Sequence, residues 1–448
     1  MNNTHIHDKS TSKTLKSLPI EIKQMIAGYL AVDSLVNFKL CSKDLSYNIH
    51  FSKEHLLELY HNKTLFNNGA AFKRYLQFKE PIALDLESAI QKGKADIVMI
   101  LLEDGRSNSS TFYNNGCLKY ASENGHTEIV RLLLNSDRVD PSVDFNYSIR
   151  LAARNGHAKV VNILLDDERV DPSMYDSYSI RFASKNGHTE TVRILLRDER
   201  VDPSGINNFA IRFASEYGYT EIVKLLLKDE RVDPSVDDNI SIKKASKNGH
   251  SEIVTLLLRD KRVDPSSQDN CAIGLAAENG NTDIVAMLLK DERVDPSANA
   301  NYAIRYSSKN GHSKIVRMLL KDERVDPSVD DNCSILQASV NGHTKIVRIL
   351  LDDNRVGTIS FDNVRLAFYY EHIEIVKLLL SDERVDPSAD DNYAIRLASD
   401  NGYVEIVKML LYDNRARLTP ATIRSLFHCG VNEQIAKLLK CKLAEMKQ

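Results

Sequence analysis

The chain has no tryptophan, and none of its six cysteines falls in a Cys-x-x-Cys pair. Cys41, Cys117, Cys271, Cys333, Cys429 and Cys441 are widely scattered. In a chain of 448 residues such spacing reads as free thiols in a reducing compartment, not as a disulfide framework. No run approaches the roughly 18–20 apolar residues that a membrane span needs. The opening stretch, MNNTHIHDKSTSKT, lacks the apolar segment of a secretory signal. The cytosol is therefore the expected compartment, with the nucleus also open. Neither sign of charge dominates. The net charge is −3 with both signs interleaved, which leaves no basic footprint for nucleic acid and no polybasic patch for a membrane. Gly-x-Gly-x-x-Gly, the phosphate-binding loop and Gly-x-Ser-x-Gly are all missing. No cofactor is expected, and the chain is not expected to be an enzyme.

What is present is a period. The composition, 42% hydrophobic and 27% charged, is that of a folded chain. Gly125, Gly156, Gly187, Gly218, Gly249, Gly280, Gly311 and Gly342 follow one another at intervals of 31 residues. Such a period marks a solenoid, in which each unit packs only on its neighbours. Residues 299–328 show one unit. Asn301 is placed to cap a short helix, with Ile304 and Ser307 or Ser308 inward. Asn310-Gly311 ends it, since glycine adopts the left-handed conformation without a Cβ penalty. A second helix follows over residues 313–320, and its apolar residues Ile315, Val316, Met318, Leu319 and Leu320 make a wide buried face. Val325-Asp326-Pro327-Ser328 then leaves the helix as a turn or finger, because Pro327 cannot continue it.

A helix pair plus a finger at this period resembles the ankyrin repeat. Gly125-His126, Ile129-Val130 and Leu132-Leu133-Leu134 match that family's second-helix signature. The array departs from the family in three ways. Its period is shorter than the usual value of about 33. The Thr-Pro-Leu-His start of the first helix is replaced, as in Tyr393-Ala394-Ile395-Arg396. The glycine that commonly ends the second helix gives way to residues such as Asp322-Glu323-Arg324. The resemblance implies an all-α, ankyrin-type helical solenoid of about eleven to twelve short repeats, with a small N-terminal helical module. It also implies a protein-binding function, with fingers and first helices lining the concave face.

The array is expected over residues 81–415. Ile90 to Val98 reads as a divergent first unit. A capping repeat and tail follow over 416–448, through Thr419-Pro420-Ala421-Thr422-Ile423 and Ile435 to Leu439. One unit is irregular. Gly342 and Gly402 lie 60 residues apart, and the unit between them lacks both Asp-Pro-Ser and Asn-Gly-His. It reads as a decayed repeat, or else as a bend that exposes Tyr369 and Tyr370.

The N-terminal segment does not follow the period. Residues 1–14 read as a disordered tail and 51–80, with Leu56-Leu57-Glu58-Leu59-Tyr60, as a helical linker. Between them, Leu18-Pro19-x-Glu21-Ile22, Ile26, Tyr29-Leu30, Leu35, Phe38 and Leu40-Cys41-Ser42-Lys43 resemble the F-box, a three-helix module. The tryptophan common near that module's end is absent, and Leu45 or Tyr47 stands in its place. This resemblance implies that residues 15–50 dock a Skp-family linker of a cullin–RING ubiquitin ligase through Leu18, Pro19, Ile22, Ile26, Leu30, Leu35 and Phe38. The chain would then be a monomeric adaptor whose array holds a target protein. The alternative is an ankyrin scaffold or competitor with no ligase link, its N-terminal helices shielding the first repeat.

Three recurring residue types are candidates for function. His126, His157, His188, His250, His312 and His343 sit in separate units. Packed helices lie about 8–10 Å apart and Zn–N bonds measure about 2 Å, so these histidines are expected to bond nearby backbone and to bind no metal. Arg150, Arg181, Arg212, Arg305 and Arg396 take the place of the family's first-helix histidine. They are expected to form an internal ladder with finger aspartates Asp140, Asp171, Asp202, Asp233, Asp295, Asp326 and Asp386, or else a basic stripe for an acidic ligand. Lys243, Gly274 and Leu336 interrupt the series. Finally, the stretch before each first helix varies between units, and variable positions can serve one ligand. Phe145, Tyr175, Ile206, Gln268 and Asn299 are the expected target-binding strip. Phe145 and Tyr175 are its anchors, since aromatic residues dominate interface energetics.

Overall fold

Each unit of sequence folds as two helices joined at the Asn-Gly-His turn. The computed structural model describes residues 83–103, 111–427 and 431–446, together with Lys73. The F-box-like segment 15–50, the tail before it and the linker 51–80 (Lys73 excepted) lie outside the described residues. So do the docking candidates Leu18, Pro19, Ile22, Ile26, Leu30, Leu35 and Phe38.

The chain divides into two compact units, one reaching to Val201 and the other starting at Asp202. The first holds four helix pairs: Ala83–Gln91 with Ala95–Glu103, Thr111–Glu123 with Thr127–Leu134, Val143–Arg154 with Ala158–Leu165, and Met174–Lys185 with Thr189–Leu195. The second begins with Gly205–Tyr217 and Thr220–Leu226 and ends with Pro420–Ser425 and Glu433–Glu445. Within each unit, first helices pack on neighbouring first helices and second helices on second helices. Among the described residues there is no strand, and no helix is long and apolar enough to cross a membrane.

The second helix buries an Ile-Val-x-x-Leu set, for example Ile315, Val316 and Leu319. Met318 and Leu320 of the same helix are only half-buried, so the buried stripe is narrower than the run of apolar residues. First helices are thin on the packed side. Ala183 and Ser184 are fully buried in one, and Ala245 and Ser246 in another.

The turn between helices follows from glycine. Gly156 has φ 79°. Its N–H donates to Ala153 O at 3.2 Å, and the next N–H, of His157, donates to Ala152 O at 2.9 Å. This paired closure satisfies the carbonyls that the helix end leaves open.

The entry to the first helix is not the capped start that Asn301 suggested. Three consecutive residues there are left-handed: Asn299, Ala300 and Asn301, at φ 50°, 51° and 55°. The same turn recurs at 144–146, 175–177, 206–208, 237–239, 268–270, 330–332 and 390–392. A left-handed residue with a Cβ costs roughly 1–2 kcal/mol, and asparagine and aspartate bear it best. That explains runs such as Asp237-Asp238-Asn239 and Asp390-Asp391-Asn392. The third residue offsets part of the cost. Asn301 is buried, and its Oδ1 accepts from the Asp326 N–H of the next repeat at 2.8 Å. Asn115, Asn146, Asn239 and Asn270 reach Asp140, Asp171, Asp264 and Asp295 in the same way.

The finger carries a second inter-repeat tie. Asp167 and Arg169 form a bidentate pair, and Arg169 Nη1 donates back to Val139 O at 2.8 Å. Arg293, Arg324, Arg355 and Arg384 reach Val263, Val294, Val325 and Val356 likewise. The bonds from Arg169 hold the Asp167 carboxyl below its ordinary range, against a smaller opposing effect of burial. Asp291, Asp322 and Asp353 are shifted downward by their own arginines in the same manner. The aspartate of Asp-Pro-Ser has a local role instead. Asp140 Oδ1 accepts from the Ser142 N–H at 2.9 Å and its hydroxyl at 2.6 Å, which closes the turn around Pro141.

Candidate functional site

The expected ladder between first-helix arginines and Asp-Pro-Ser aspartates is not the one observed. Those aspartates are engaged by serine two residues on. The arginines address the left-handed turn. Arg150 Nε donates to Phe145 O at 3.0 Å and Nη2 to Asp144 O at 2.8 Å. Arg181 repeats this with Asp176 O and Tyr175 O. Burial pushes the Arg181 guanidinium below its ordinary range, although Asp176 opposes the shift. Elsewhere the basic residue pairs with the first turn residue of the next repeat: Lys119 with Asp144, Arg212 with Asp237, and Arg305 with Asp330. Lys243 donates to Gln268 Oε1. The arginines are thus internally committed, as the ladder reading held, but to other partners. Part of the variation before each first helix is one half of such a pair.

The predicted strip residues all lie on or in this turn. In the first unit, Phe145 and Tyr175 meet edge to face with ring centroids 5.5 Å apart. They are 62% and 54% exposed. Phe145 is the second residue of its turn and Tyr175 the first of its own, so the two rings approach from different register positions. Arg150 stands 4.5 Å from the Tyr175 centroid, 4.9 Å from Tyr147 and 5.4 Å from Tyr178. Such contacts add a cation–π attraction of about 0.5–1 kcal/mol at exposed sites. The result is an exposed aromatic patch braced by a guanidinium that is itself held by two backbone carbonyls. In the second unit, Ile206 is 49% exposed. Gln268 is held between Lys243 and Asp238. Gln268 and Asn299 line one cavity.

The histidines serve stacking, and their bonding partner lies in the preceding repeat. His157 Nε2 is 2.8 Å from Glu123 O, His312 3.0 Å from Glu278 O, and His343 2.9 Å from Lys309 O. Each ring lies against the glycine of that preceding repeat. A Cβ built on Gly156 would come within 2.5 Å of the His188 ring, and one on Gly280 within 2.7 Å of His312. Glycine is therefore required twice over, by its φ and by the ring. Burial lowers the His126 pKa, with His157 adding to the shift. Among the described residues no group of three His, Cys, Asp or Glu side chains converges as a metal site would.

The irregular repeat keeps its ties on both sides. Arg355 reaches Val325 O and Arg384 reaches Val356 O, while His372 stays bonded to Val340 O. It lacks the left-handed turn, since Phe361 has φ −60°. Glu371 takes the glycine position at φ 59°, and the following repeat has Tyr403 where others have histidine. Tyr369 is 76% exposed and stands edge to face with Tyr370 at 5.0 Å. The adjoining cleft, about 360 Å³, is bounded by Tyr369, Glu371, Tyr393 and Tyr403.

The cysteines Cys117, Cys271, Cys333 and Cys441 are free, and burial with the nearby Glu87 pushes the Cys117 thiol up to about 12. Cys41 and Cys429 lie outside the described residues.

These features define a stack of helix pairs tied through glycine, asparagine and arginine contacts, with its variable residues at the turn edge. Comparison with known families agrees. A model of three consecutive ankyrin repeats matches residues 149–238, 180–269, 213–300, 242–331 and 273–362, and a single-repeat model matches 113–144. Together they cover more than half of the chain, and the chain belongs to the ankyrin-repeat proteins. No curated protein matches it.

Proposed function

We propose that the chain is a monomeric, cytosolic protein-binding adaptor. Its array holds a target protein along the left-handed turns, and residues 15–50 dock a Skp-family linker of a cullin–RING ubiquitin ligase. The observation that carries target binding is the exposed cluster of Phe145, Tyr147 and Tyr175 around Arg150. Aromatic residues that stay exposed while pinned in place lose little entropy on binding, and they supply most of the energy of protein interfaces. In the second unit the same turns carry Asp238, Asp269, Asp331 and Asp391, which favour a partner with basic residues opposite. Ankyrin-repeat proteins are typically non-enzymatic interaction scaffolds, in keeping with this reading.

The ligase link rests on Leu18-Pro19-x-Glu21-Ile22 and the apolar positions after it. The matched family residues all lie within 113–362, so a plain scaffold is the second reading. One experiment separates the two. The full chain is expected to co-purify with a Skp-family protein from a eukaryotic lysate, and the Pro19→Ala, Ile22→Asp double variant is not. A carboxylate placed in an apolar contact without a partner costs more than the roughly 2–7 kcal/mol of a neutral polar group. The thermal melt of the array should stay unchanged. If the wild-type chain brings down no Skp-family protein, the ligase link fails and the scaffold reading stands.

A further inference from the structure

The first-helix basic residue bonds its own left-handed turn in some repeats, and one repeat has glycine in its place. Arg150 and Arg181 each stand six residues after the first residue of their own left-handed turn, and donate to the carbonyls of its first two residues. Arg396 makes one of these bonds, to Asp390 O at 2.8 Å. In the repeat whose turn is Gln268-Asp269-Asn270, the corresponding residue is Gly274. The carbonyls that a guanidinium would engage are then those of Gln268 and Asp269. In place of the side chain there is a cavity of about 160 Å³, lined by Gln268, Asp269, Gly274, Asp295, Asn299 and Tyr302. A cavity of roughly 150 Å³ is enough for a benzene-sized group.

The walls suit a cation. Asp269 is exposed at the rim. Asp295 uses one carboxylate oxygen, Oδ1, to hold Ser297. Glu278 accepts from the Tyr302 hydroxyl at 2.8 Å and so fixes that ring. Burial and this bond both push the Tyr302 hydroxyl upward, so it stays a neutral donor. Of the cations nearby, Lys243 is buried and bonded to Gln268 Oε1, and Arg324 interacts with Asp295. Asp269 and Asp295 thus bring two carboxylates to the cavity lining. The Tyr302 ring also packs close to this position. A Cβ on Gly274 would lie 3.0 Å from Tyr302 Cδ1.

We propose that this cavity receives an arginine side chain from the bound partner protein. The guanidinium replaces the one that Arg150 and Arg181 supply from within their own repeats. It donates to the carbonyl oxygens of Gln268 and Asp269 and lies against Tyr302. A planar fork of donors matches two adjacent carbonyls better than the point charge of lysine does, and the aromatic wall adds a cation–π attraction. The inference deepens the protein-binding reading above and rests on it, by naming what one repeat recognises.

The test uses the full chain with ¹³C-labelled isoleucine methyl groups. Ile273 lines the cavity and is 2% exposed, and its signal is identified by its loss in Ile273→Val. N-acetyl-arginine methylamide is titrated against it, with the citrulline and lysine counterparts as controls. The arginine probe is expected to shift the Ile273 signal saturably, with a dissociation constant on the order of millimolar, the scale of a single-residue contact of about 4 kcal/mol. Citrulline should give no saturable shift, and lysine a weaker one. Gly274→Arg, which supplies the guanidinium from within, should abolish the response. Asp269→Asn keeps a residue that tolerates the left-handed turn and should weaken the probe severalfold. No saturable shift, an equal response to citrulline, or an undiminished response in both variants overturns the proposal. The assay uses no target protein, so its failure leaves target binding through Phe145 and Tyr175 to be judged separately.

Discussion

Gly280→Ala is expected to destabilise the array by about 1.5–3.5 kcal/mol, and Gly402→Ala by only about 1–2 kcal/mol. Both glycines are left-handed, at φ 79° and 74°. Both variants therefore take on the backbone strain of a Cβ in that region, roughly 1–2 kcal/mol. They differ in what the methyl group meets. At Gly402 there is nothing within 4 Å, whereas at Gly280 the His312 Cε1 lies 2.7 Å away. The His312 ring cannot simply swing aside, because its Nε2 is bonded to Glu278 O at 3.0 Å. Moving it loses that bond, about 0.5–1.5 kcal/mol net, and disturbs the neighbouring repeat on which the stack depends. Urea unfolding followed by circular dichroism measures both variants. Adding His312→Ala to Gly280→Ala should recover part of the loss. Equal costs at the two glycines would mean that the histidine ring is not what demands glycine.

Asn301→Leu is expected to cost roughly 2–5 kcal/mol, and Asn301→Gly roughly 1–3 kcal/mol. The side chain of Asn301 is buried and is the acceptor for the Asp326 N–H. Either change leaves that donor without its partner, which costs about 1–3 kcal/mol. Leucine adds the strain of a bulky residue at φ 55°, whereas glycine relieves it. The difference between the two variants therefore reports the strain of a bulky side chain, and the glycine variant reports the lost bond less the strain that glycine relieves. An Asn301→Gly variant more stable than the wild type would show that the asparagine tie is worth less than the strain it carries.

The sequence showed the period, the paired helices and the glycine turn, because each depends on local signals. Glycine at fixed intervals and Ile-Val-x-x-Leu act within one repeat. The ties between repeats were harder to read. Asn301 is an equally good cap and left-handed residue, since one short amide serves both purposes. The clue that separates them is the company it keeps, in runs such as Asp330-Asp331-Asn332, where several adjacent residues tolerate positive φ. The arginine of Asp-Glu-Arg looked like a mere replacement for a helix-ending glycine. In the fold it clasps the preceding finger, as Arg324 does at Val294 O, and its presence in nearly every unit was the available signal. The first-helix arginine was correctly read as internal, but its partner was misplaced. The carboxylate that Arg305 meets, Asp330, belongs to the turn after the finger and not to the finger, where the aspartates recur most regularly. The pairing also changes what variation means. Gln268 is the partner of Lys243, whereas Phe145 and Tyr175 remain exposed rings.

Those two rings offer the most direct test of the central claim, that the turn edge of the array binds a target protein. The measurement is the affinity of the protein recovered with the wild-type chain for that chain and for the Phe145→Ala, Tyr175→Ala double variant. Both side chains are largely exposed, so the variant should melt as the wild type does. Loss of two aromatic anchors should weaken binding by about 2 kcal/mol or more, about 30-fold. Unchanged affinity with an intact melt would contradict the claim and move the site away from this edge, first to Tyr369 and Tyr370.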